Sequence, residues 1–259
     1  MRLNKYISHN TKYSRREADK LIENGDVRVN RQIIRNHGYI VESGDVVYVK
    51  GRIVKKSRDL TMIVYNKPKG VLVTKRDDRG RTTIYHKLSG KFRHFIPIGR
   101  LDFASEGLLL LTNRPDVADI LMNSDLERVY NIKIDKPLNA KMERAMQEGL
   151  VIENSLAGAH SKSKIDTIEF KSFINYKVRG TNGRYTKLQV TISEGKNREL
   201  RRFFAHFGAN VLDLKRVGFG GIFLNNLPTN KTRYFTRREY EDLKLFLKES
   251  STKEKKFTL

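Results

Sequence analysis

The sequence predicts an α+β protein with two units: a small N-terminal unit of helices and short strands, and a larger domain built on a mixed, mainly antiparallel β-sheet with flanking helices. Two observations predict this class. Segments such as Leu188–Ile192 alternate apolar and polar residues, which is typical of a strand with one covered face. Segments such as Leu200–Phe207 carry apolar residues at helical spacing.

The N-terminal unit is predicted over residues 1–50. Ser14 and Glu17 have the spacing of a capping box and predict the start of the second helix, which Gly25 ends. The β-branched run that follows the turn signal in SGDVVYVK, residues 43–50, predicts a short strand.

The larger domain is predicted over residues 60–248, after a polar and basic linker at 51–59. The final residues, 249–259, form a polar, charged tail that is expected to be disordered. Strands are predicted at MIVYNKP, FRHFIPIG, GLLLLTN, VYNIKID, YTKLQVTIS and 211–217, and helices at 115–123, 139–147, 197–207 and 237–248.

The charge of the chain predicts a polyanionic partner. Fifty-two basic and twenty-nine acidic residues give a formal net charge of +23, of which +7 lies in the first sixty residues. Phosphate backbones fit this excess because each contacted phosphate releases condensed counterions. An anionic membrane fits less well, since Trp is absent and the basic residues are spread over several elements.

Composition also limits the chemistry. The chain has no cysteine, which excludes disulfides and thiolate sites, and its six histidines are scattered, so neither a metal site nor a metal cofactor is expected. No apolar run approaches the roughly 20 residues of a membrane span, and the first residues lack a secretory signal. We therefore expect a cytoplasmic protein.

The most informative stretch is GRLDFASEGLLLLTN, residues 99–113. Arg100 and Asp102 are two residues apart in an extended stretch, so their side chains are expected to leave the same side of the backbone. One interpretation is that Asp102 caps a turn with Arg100 as its surface partner. The leucine run favours another, because it predicts an internal strand and places Asp102 at the margin of the core, where low dielectric strengthens its interaction with a cation.

Two further segments carry candidate residues. Tyr130, in ERVYNIKID, shares its strand face with apolar residues, and it is either a core tyrosine or a ring that stacks on a nucleobase. In EGKNRELRRFFAHFGAN, residues 194–210, Arg201 falls on the flank of a helix, which suits a fixed partner for a carboxylate. Lys196, Arg198 and Arg202 are then expected to be free for phosphates, the alternative being a solvated basic helix face.

Five segments in this order resemble one family, the ribosomal RNA pseudouridine synthases with an N-terminal S4 domain, which includes RsuA, RluB, RluE and RluF; the RluB branch is the most similar. RLNKYIS, SRREADKLIENGDVRVN and VESGDVVYV resemble its S4 RNA-binding module. NKPKGVLVT with DDRGRTTI resembles the opening of its catalytic domain. GRLDFASEGLLLLTN, ERVYNIKI and EGKNRELRRFF resemble its catalytic loop, tyrosine strand and basic motif.

The resemblance implies roles for individual residues. Asp102 is the implied catalytic aspartate, Tyr130 the active-site tyrosine on the target base, Arg201 the basic partner of Asp102, and Arg100 a contact to the target or its neighbours. Two departures from the family pattern are small: Ser105 replaces the more usual threonine, and the connection between residues 113 and 130 is short. The short connection concerns the target more than the reaction. The full set of predicted RNA contacts is Arg100, Lys196, Arg198, Arg202, Arg15, Arg16, Lys20, Lys67 and Lys69.

The implied reaction is cofactor-free isomerisation of uridine in RNA. The sequence leaves open whether Asp102 attacks as a nucleophile or accepts a ribose proton. Ribosomal RNA is the predicted partner of a monomeric enzyme, with 23S rRNA favoured and 16S rRNA as the alternative. A non-catalytic ribosome-assembly factor is the alternative from another class. A helix-turn-helix DNA regulator is weaker, since nothing marks a recognition helix or a dimer seam.

Overall fold

The computed structural model describes residues 1–11, 13–54, 59–153 and 167–256, with side chains described to residue 250 in the last range. The N-terminal unit contains α1 Leu3–Asn10, α2 Arg15–Glu23, β1 Val27–Val29, β2 Gln32–Ile33, β3 Val47–Val49 and β4 Arg52–Ile53. Its strands form an antiparallel sheet in the order β2-β1-β3-β4. The predicted capping box begins α2, because Ser14 and Glu17 exchange backbone-to-side-chain hydrogen bonds.

The predicted linker begins too early. Lys50 and Gly51 both have positive φ, 48° and 74°, and form a tight turn that folds β4 back onto β3. Val54 is buried in the apolar cluster of the N-terminal unit. Residues 51–54 therefore belong to that unit, and residues 55–58 lie outside the described residues.

The larger domain is a mixed, mainly antiparallel sheet, as predicted. Its elements are β5 Met62–Lys67, α3 Ile84–Lys87, a 3₁₀ turn Gly90–Phe92, β6 Ile96–Pro97, β7 Glu106–Thr112, α4 Pro115–Met122, β8 Arg128–Ile134, α5 Ala140–Glu148, β9 Leu150–Ile152, β10 Ile168–Phe170, β11 Asn175–Thr181, β12 Thr186–Ile192, α6 Glu199–His206, β13 Val211–Phe219, β14 Ile222–Phe223, β15 Thr232–Tyr234 and α7 Arg237–Lys256. The main sheet has the order β11-β12-β8-β13-β7-β5-β15, with β14 on β13, β6 on β7, and β9 and β10 as a separate pair. Within the described strands, only β13 and β7 pair in parallel.

The central strands β5 and β7 are covered on both faces. Ile63 and Leu109 belong to one apolar cluster, which also contains residues of α5 and α6, whereas Val64 and Leu108 belong to a second cluster with α4 and α7. This explains the unbroken leucine run, because a strand between two cores needs apolar residues at every position. Strands β8 and β12 are covered on one face only and keep the alternating pattern.

The predicted disordered tail is wrong over 249–256. Helix α7 continues to Lys256, because ESSTKEKK contains no glycine or proline to end it. Residues 257–259 lie outside the described residues. Among the described helices, none is both long and apolar enough to cross a bilayer.

A half-buried lysine joins the two units. Lys75 Nζ donates hydrogen bonds to the carbonyl oxygens of Ser8 at 2.7 Å, Tyr13 at 3.2 Å and Thr11 at 3.5 Å. The Ser8 and Thr11 carbonyls lie at the C-terminal end of α1, where a cation also meets the negative end of the helix dipole. The loop that carries Lys75 therefore holds the N-terminal unit against the larger domain.

Candidate active site

A cleft of about 860 Å³ crosses the larger domain. It is bounded by the loop before β7, by β8 and β13, and by the turn that leads into α6. Residues that line it include Arg76, Arg100, Asp102, Ser105, Arg128, Tyr130, Ile192, Lys196, Arg198, Glu199, Leu200, Leu214 and Arg216.

The loop that carries Asp102 is held by a buried ammonium group. Lys67 Nζ donates hydrogen bonds to the carbonyl oxygens of Ser105 at 2.8 Å, Pro68 at 3.0 Å and Asp102 at 3.2 Å. Lys67 is fully buried, and desolvation lowers its pKa to about 8 against the opposing charges of Asp102 and Glu106. The prediction that Lys67 contacts RNA is therefore wrong, since its ammonium group is occupied by the backbone of the loop.

The same loop enters β7 through Gly107, and any larger residue at this position would push against the backbone of β13. Gly107 has φ +104°, and a Cβ there would lie 2.2 Å from the carbonyl oxygen of Arg216. Residues 107 and 216 are partners in the parallel pairing of β7 and β13. This close approach places the cleft-facing residues of β13 beside the Asp102 loop.

Asp102 lies between two guanidinium groups. Its Oδ2 is 3.8 Å from Arg201 Nε and 3.7 Å from Arg198 Nη1. The two guanidinium groups offset the charge of the carboxylate. The Asp102 side chain is 31% exposed and is therefore still open to the cleft. The structure thus brings together Asp102 and Arg201, which the sequence placed almost one hundred residues apart.

Arg201 is fixed by the protein backbone. Its Nη1 donates to the Val211 carbonyl at 2.9 Å, and its Nη2 lies 3.4 Å from the Ala104 carbonyl and 3.3 Å from Ser105 Oγ. Burial lowers the pKa of the guanidinium, and the charge of Asp102 opposes that shift. Ser105 therefore contributes a hydroxyl contact that orients the arginine.

Arg198 reaches Asp102 from an unusual backbone conformation. It is the residue before α6 and has φ +51°, which is uncommon for a residue other than glycine. Helix α6 consequently begins at Glu199, two residues later than predicted, and the guanidinium points back to the carboxylate. Strained residues of this kind cluster at functional sites.

Tyr130 lies on the apolar wall of the cleft. It is 7% exposed, belongs to the same apolar cluster as Leu200 and Leu214, and pairs across the sheet with Val190 and Arg216. Tyr130 therefore packs in the core and also lines the cleft, and its stacking on a nucleobase stays a prediction.

Three buried charged residues of the cleft escaped the sequence interpretation. Arg128 and Arg216 flank the Phe219 ring at 5.1 and 5.6 Å, and burial raises the pKa of Glu199 to about 7. Arg216 Nε donates to the Leu108 carbonyl at 2.8 Å, whereas its Nη2 is buried without a hydrogen-bond partner among the described residues. The alternation of side chains along a strand could have identified both arginines. Arg128 lies on the same face of β8 as Tyr130, and Arg216 lies on the same face of β13 as Leu214.

Arg202 is not free for phosphates. Its exposed fraction is 1%, so the predicted contact is wrong. The cause is that α6 is covered on more than its apolar stripe, with Glu199 and Arg202, three residues apart on one face, both buried. Lys196 Nζ is held by Glu194 Oε2 at 2.8 Å and by the Glu169 carbonyl at 2.5 Å, at the rim of the cleft.

The remaining predicted RNA contacts are exposed. Arg100 lines the cleft, and Lys69 forms an ion pair with Asp213. Arg15, Arg16 and Lys20 are exposed on α2. Because the loop of Lys75 also contributes Arg76 to the cleft, the first turn of α2 lies near the cleft entrance.

Comparison with known proteins identifies the family. The model of the family described as RNA pseudouridylate synthase matches residues 61–206, more than half of the chain, and the S4 domain model matches residues 1–47. The chain belongs to the RNA pseudouridylate synthase family. Its N-terminal unit is an S4 domain.

The alignments with curated relatives cover almost the whole chain of this synthase. An uncharacterized RNA pseudouridine synthase of Helicobacter pylori (strain ATCC 700392 / 26695) is 47% identical over 249 residues and 95% of either chain. Ribosomal large subunit pseudouridine synthase B of Bacillus subtilis (strain 168) is 31% identical over 94% of this chain and 95% of the relative. Dual-specificity RNA pseudouridine synthase RluF of Escherichia coli (strain K12) is 34% identical over 98% and 82%, respectively.

A solved pseudouridylate synthase has the same fold. It aligns with a TM-score of 0.61 at 24% identity and covers 94% of this chain and 99% of its own.

Proposed function

We propose that this synthase converts specific uridines of 23S ribosomal RNA to pseudouridine, with Asp102 as the catalytic carboxylate. One observation carries the proposal: an accessible carboxylate lies between Arg198 and Arg201 in a cleft lined by Tyr130, on a loop held by the buried Lys67. Such a carboxylate is already oriented by its neighbours and needs no reorganisation when charge develops on a substrate.

The reaction is an isomerisation and balances within the substrate. The bond between N1 of uracil and C1′ of ribose breaks, the base turns over, and a bond between C5 and C1′ forms. C5 loses its proton, and N1 carries a proton in the product. A carboxylate can attack C1′ or accept a ribose proton, so Asp102 is chemically competent for either course. The balance requires no oxidant, reductant or cofactor, and we propose that the enzyme uses none.

The target base must leave its stack before it reaches Asp102. Unstacking costs a few kcal/mol, which contacts with an extruded base offset. We propose that the Tyr130 ring packs on the extruded uracil and that the exposed Arg100 contacts the target or its neighbours. Arg201 is the proposed fixed cation of Asp102.

Further contacts are assigned to the RNA backbone. We propose that Arg198 and Lys196 at the cleft rim, Lys69, and the exposed cations of α2 (Arg15, Arg16 and Lys20) bind phosphates. The α2 cations lie on the S4 domain near the cleft entrance, which suits them for RNA that surrounds the target.

The large subunit is proposed as the target because the B. subtilis relative bears that name and aligns along nearly the entire chain. We propose that the enzyme acts as a cytoplasmic monomer without a metal ion, with 23S rRNA or a pre-ribosomal particle as its partner.

Asp102→Asn tests the catalytic assignment. The variant removes the charge at nearly constant volume, so pseudouridine formation is expected to disappear while RNA affinity stays within a few-fold of wild type. Pseudouridines are mapped in rRNA from cells that carry the wild-type gene, the variant or a deletion. Normal modification by the variant refutes the role of Asp102. Unaltered rRNA in the deletion strain favours a non-catalytic assembly factor, and loss of a 16S pseudouridine moves the target to the small subunit.

A further inference from the structure

The main sheet has an open face on the side opposite the cleft. It comprises the outward side chains of β11, β12, β8 and β13, which the strand register places next to one another. Lys187 lies across from Lys133, which in turn lies across from Asp213. Lys177 and Asn131 both lie across from Gln189. Lys177, Lys187 and Asn131 are exposed, so nothing in the described part of the chain covers this region.

The open sheet face is strongly basic. Its cations are Lys133, Lys177, Arg179, Lys187 and Lys215, whereas its acids are Asp213 and Glu106. Asp213 already has an ion pair with Lys69 from the neighbouring loop. Like charges directly across a strand pair destabilise a sheet, so the pairing of Lys133 with Lys187 works against folding. A polyanionic ligand gives these cations a favourable partner.

The cations are supported by aromatic and amide side chains. Lys133 Nζ lies 4.2 Å from the centre of the Tyr185 ring, and Lys187 Nζ lies 5.8 Å from the same ring. Arg179 Nη2 donates to Gln189 Oε1 at 2.6 Å. These contacts restrain the basic groups, which lowers the entropy they lose when they bind phosphates.

The open sheet face is continuous with the rim of the active site. Lys69 is paired with Asp213 at the edge of the face. The next residue, Gly70, donates its N–H to the Phe103 carbonyl at 2.7 Å, and Phe103 follows the catalytic candidate Asp102. A polynucleotide chain that leaves the cleft over this rim therefore reaches the basic groups of the open sheet face directly.

We propose that the open sheet face binds the phosphate backbone of RNA that flanks the target uridine. This inference rests on the proposed function for the identity of the RNA, but its test is a binding measurement that needs no catalysis. The face extends RNA recognition beyond the cleft and the S4 domain, and it contributes affinity without base readout.

The test neutralises three lysines of the face, Lys133→Gln, Lys177→Gln and Lys187→Gln, in the full chain. A matched control removes the same charge from exposed lysines of α3, α5 and α7: Lys87→Gln, Lys141→Gln and Lys244→Gln. Fluorescence anisotropy measures affinity for a 23S rRNA fragment with long flanks and for a trimmed hairpin around the target, across a salt series. Kinetics on the trimmed hairpin measure kcat.

The face variant is expected to bind the long fragment about tenfold more weakly and to lower its salt slope by about 2 to 3, since three phosphate contacts are lost. The control variant is expected to bind the long fragment within twofold of wild type. The face variant is expected to bind the trimmed hairpin within twofold of wild type and to keep the wild-type kcat on it. Single Lys177→Gln and Lys187→Gln variants, which leave the Lys133 contact with Tyr185 intact, are expected to lower the slope by about 1 each.

Equal weakening by the face and control variants overturns the proposal, because it shows a general charge effect. Unchanged affinity of the face variant for the long fragment also overturns it and leaves the face to another acidic partner. An absence of pseudouridine formation by the wild-type chain refutes the proposed function instead, and the binding comparison still decides the role of the face.

Discussion

Glu199→Gln is expected to stabilise the protein at alkaline pH. Glu199 lies in the wall of the cleft and is 8% exposed, and its carboxylate accepts the Lys196 N–H at 3.0 Å. Burial is the main cause that raises its pKa from 4.5 to about 7, with the nearby Glu194 charge adding to the shift. The ionised form therefore destabilises the folded state.

The size and sign of the effect follow from this shift. A rise of the pKa from 4.5 to about 7 corresponds to roughly 3 kcal/mol. Because the folded-state pKa is raised, the stability linked to protonated Glu199 is fully present below pH 4.5 and is lost as pH rises through about 7. Glutamine retains an oxygen that accepts the Lys196 N–H but carries no charge. The variant is expected to exceed wild type by about 3 kcal/mol at pH 8 and by about 1 kcal/mol at pH 5.

Urea unfolding at pH 5 and pH 8 measures this difference through the linear extrapolation of the free energy of unfolding. Glu194→Gln is a control of opposite sign. Glu194 is paired with Lys171 and Lys196, and these contacts lower its pKa, so its neutralisation is expected to destabilise the protein at pH 8. A Glu199→Gln variant with the stability of wild type at pH 8, or with a gain independent of pH, refutes the reasoning.

Three further predictions follow from buried contacts. Lys67→Met is expected to destabilise the protein by about 2 to 4 kcal/mol, since three carbonyls lose their donor. The salt dependence of RNA binding is expected to stay unchanged, and a smaller salt slope would show that Lys67 contacts a phosphate after all. Gly107→Ala is expected to lower the free energy of unfolding in urea by more than about 3 kcal/mol. Gly183→Ala is the control and is expected to lower it by about 1 kcal/mol, because Gly183 has φ +78° but a Cβ there would meet nothing within 4 Å. Similar losses in the two variants would contradict the overlap with Arg216. Lys75→Met is expected to speed hydrogen exchange in α1 without altering kcat on a trimmed hairpin, and unchanged exchange would show that Lys75 does not hold the S4 domain.

Much of the fold was predictable because its signals are local. The Ser14 capping box, the alternation of β12 and the leucine run of β7 each identify an element without reference to the rest of the chain. Strand β11 was missed because it is an edge strand, exposed at five of its seven positions, and therefore has no apolar alternation to detect.

The candidate site was predictable only where residue types and order carry it. Asp102, Tyr130 and Arg201 were chosen from their motifs. The structure places Asp102 and Tyr130 in the lining of one cleft and pairs Arg201 with Asp102. Lys67 and Arg202 were misassigned because charge alone predicts solvent exposure. Each is buried in the structure, and burial depends on which backbone and helix faces pack around the group.

The sequence by itself determined two things. The segments that resemble the family indicated the S4 and synthase architecture, and periodicity and capping, which act over a few residues, indicated the approximate positions of the elements. Tertiary structure decided which cations face Asp102, which are buried and which cover the open sheet face. The physical reason is that β13 approaches β7 at Gly107, and contacts across about one hundred residues depend on that packing rather than on any local pattern.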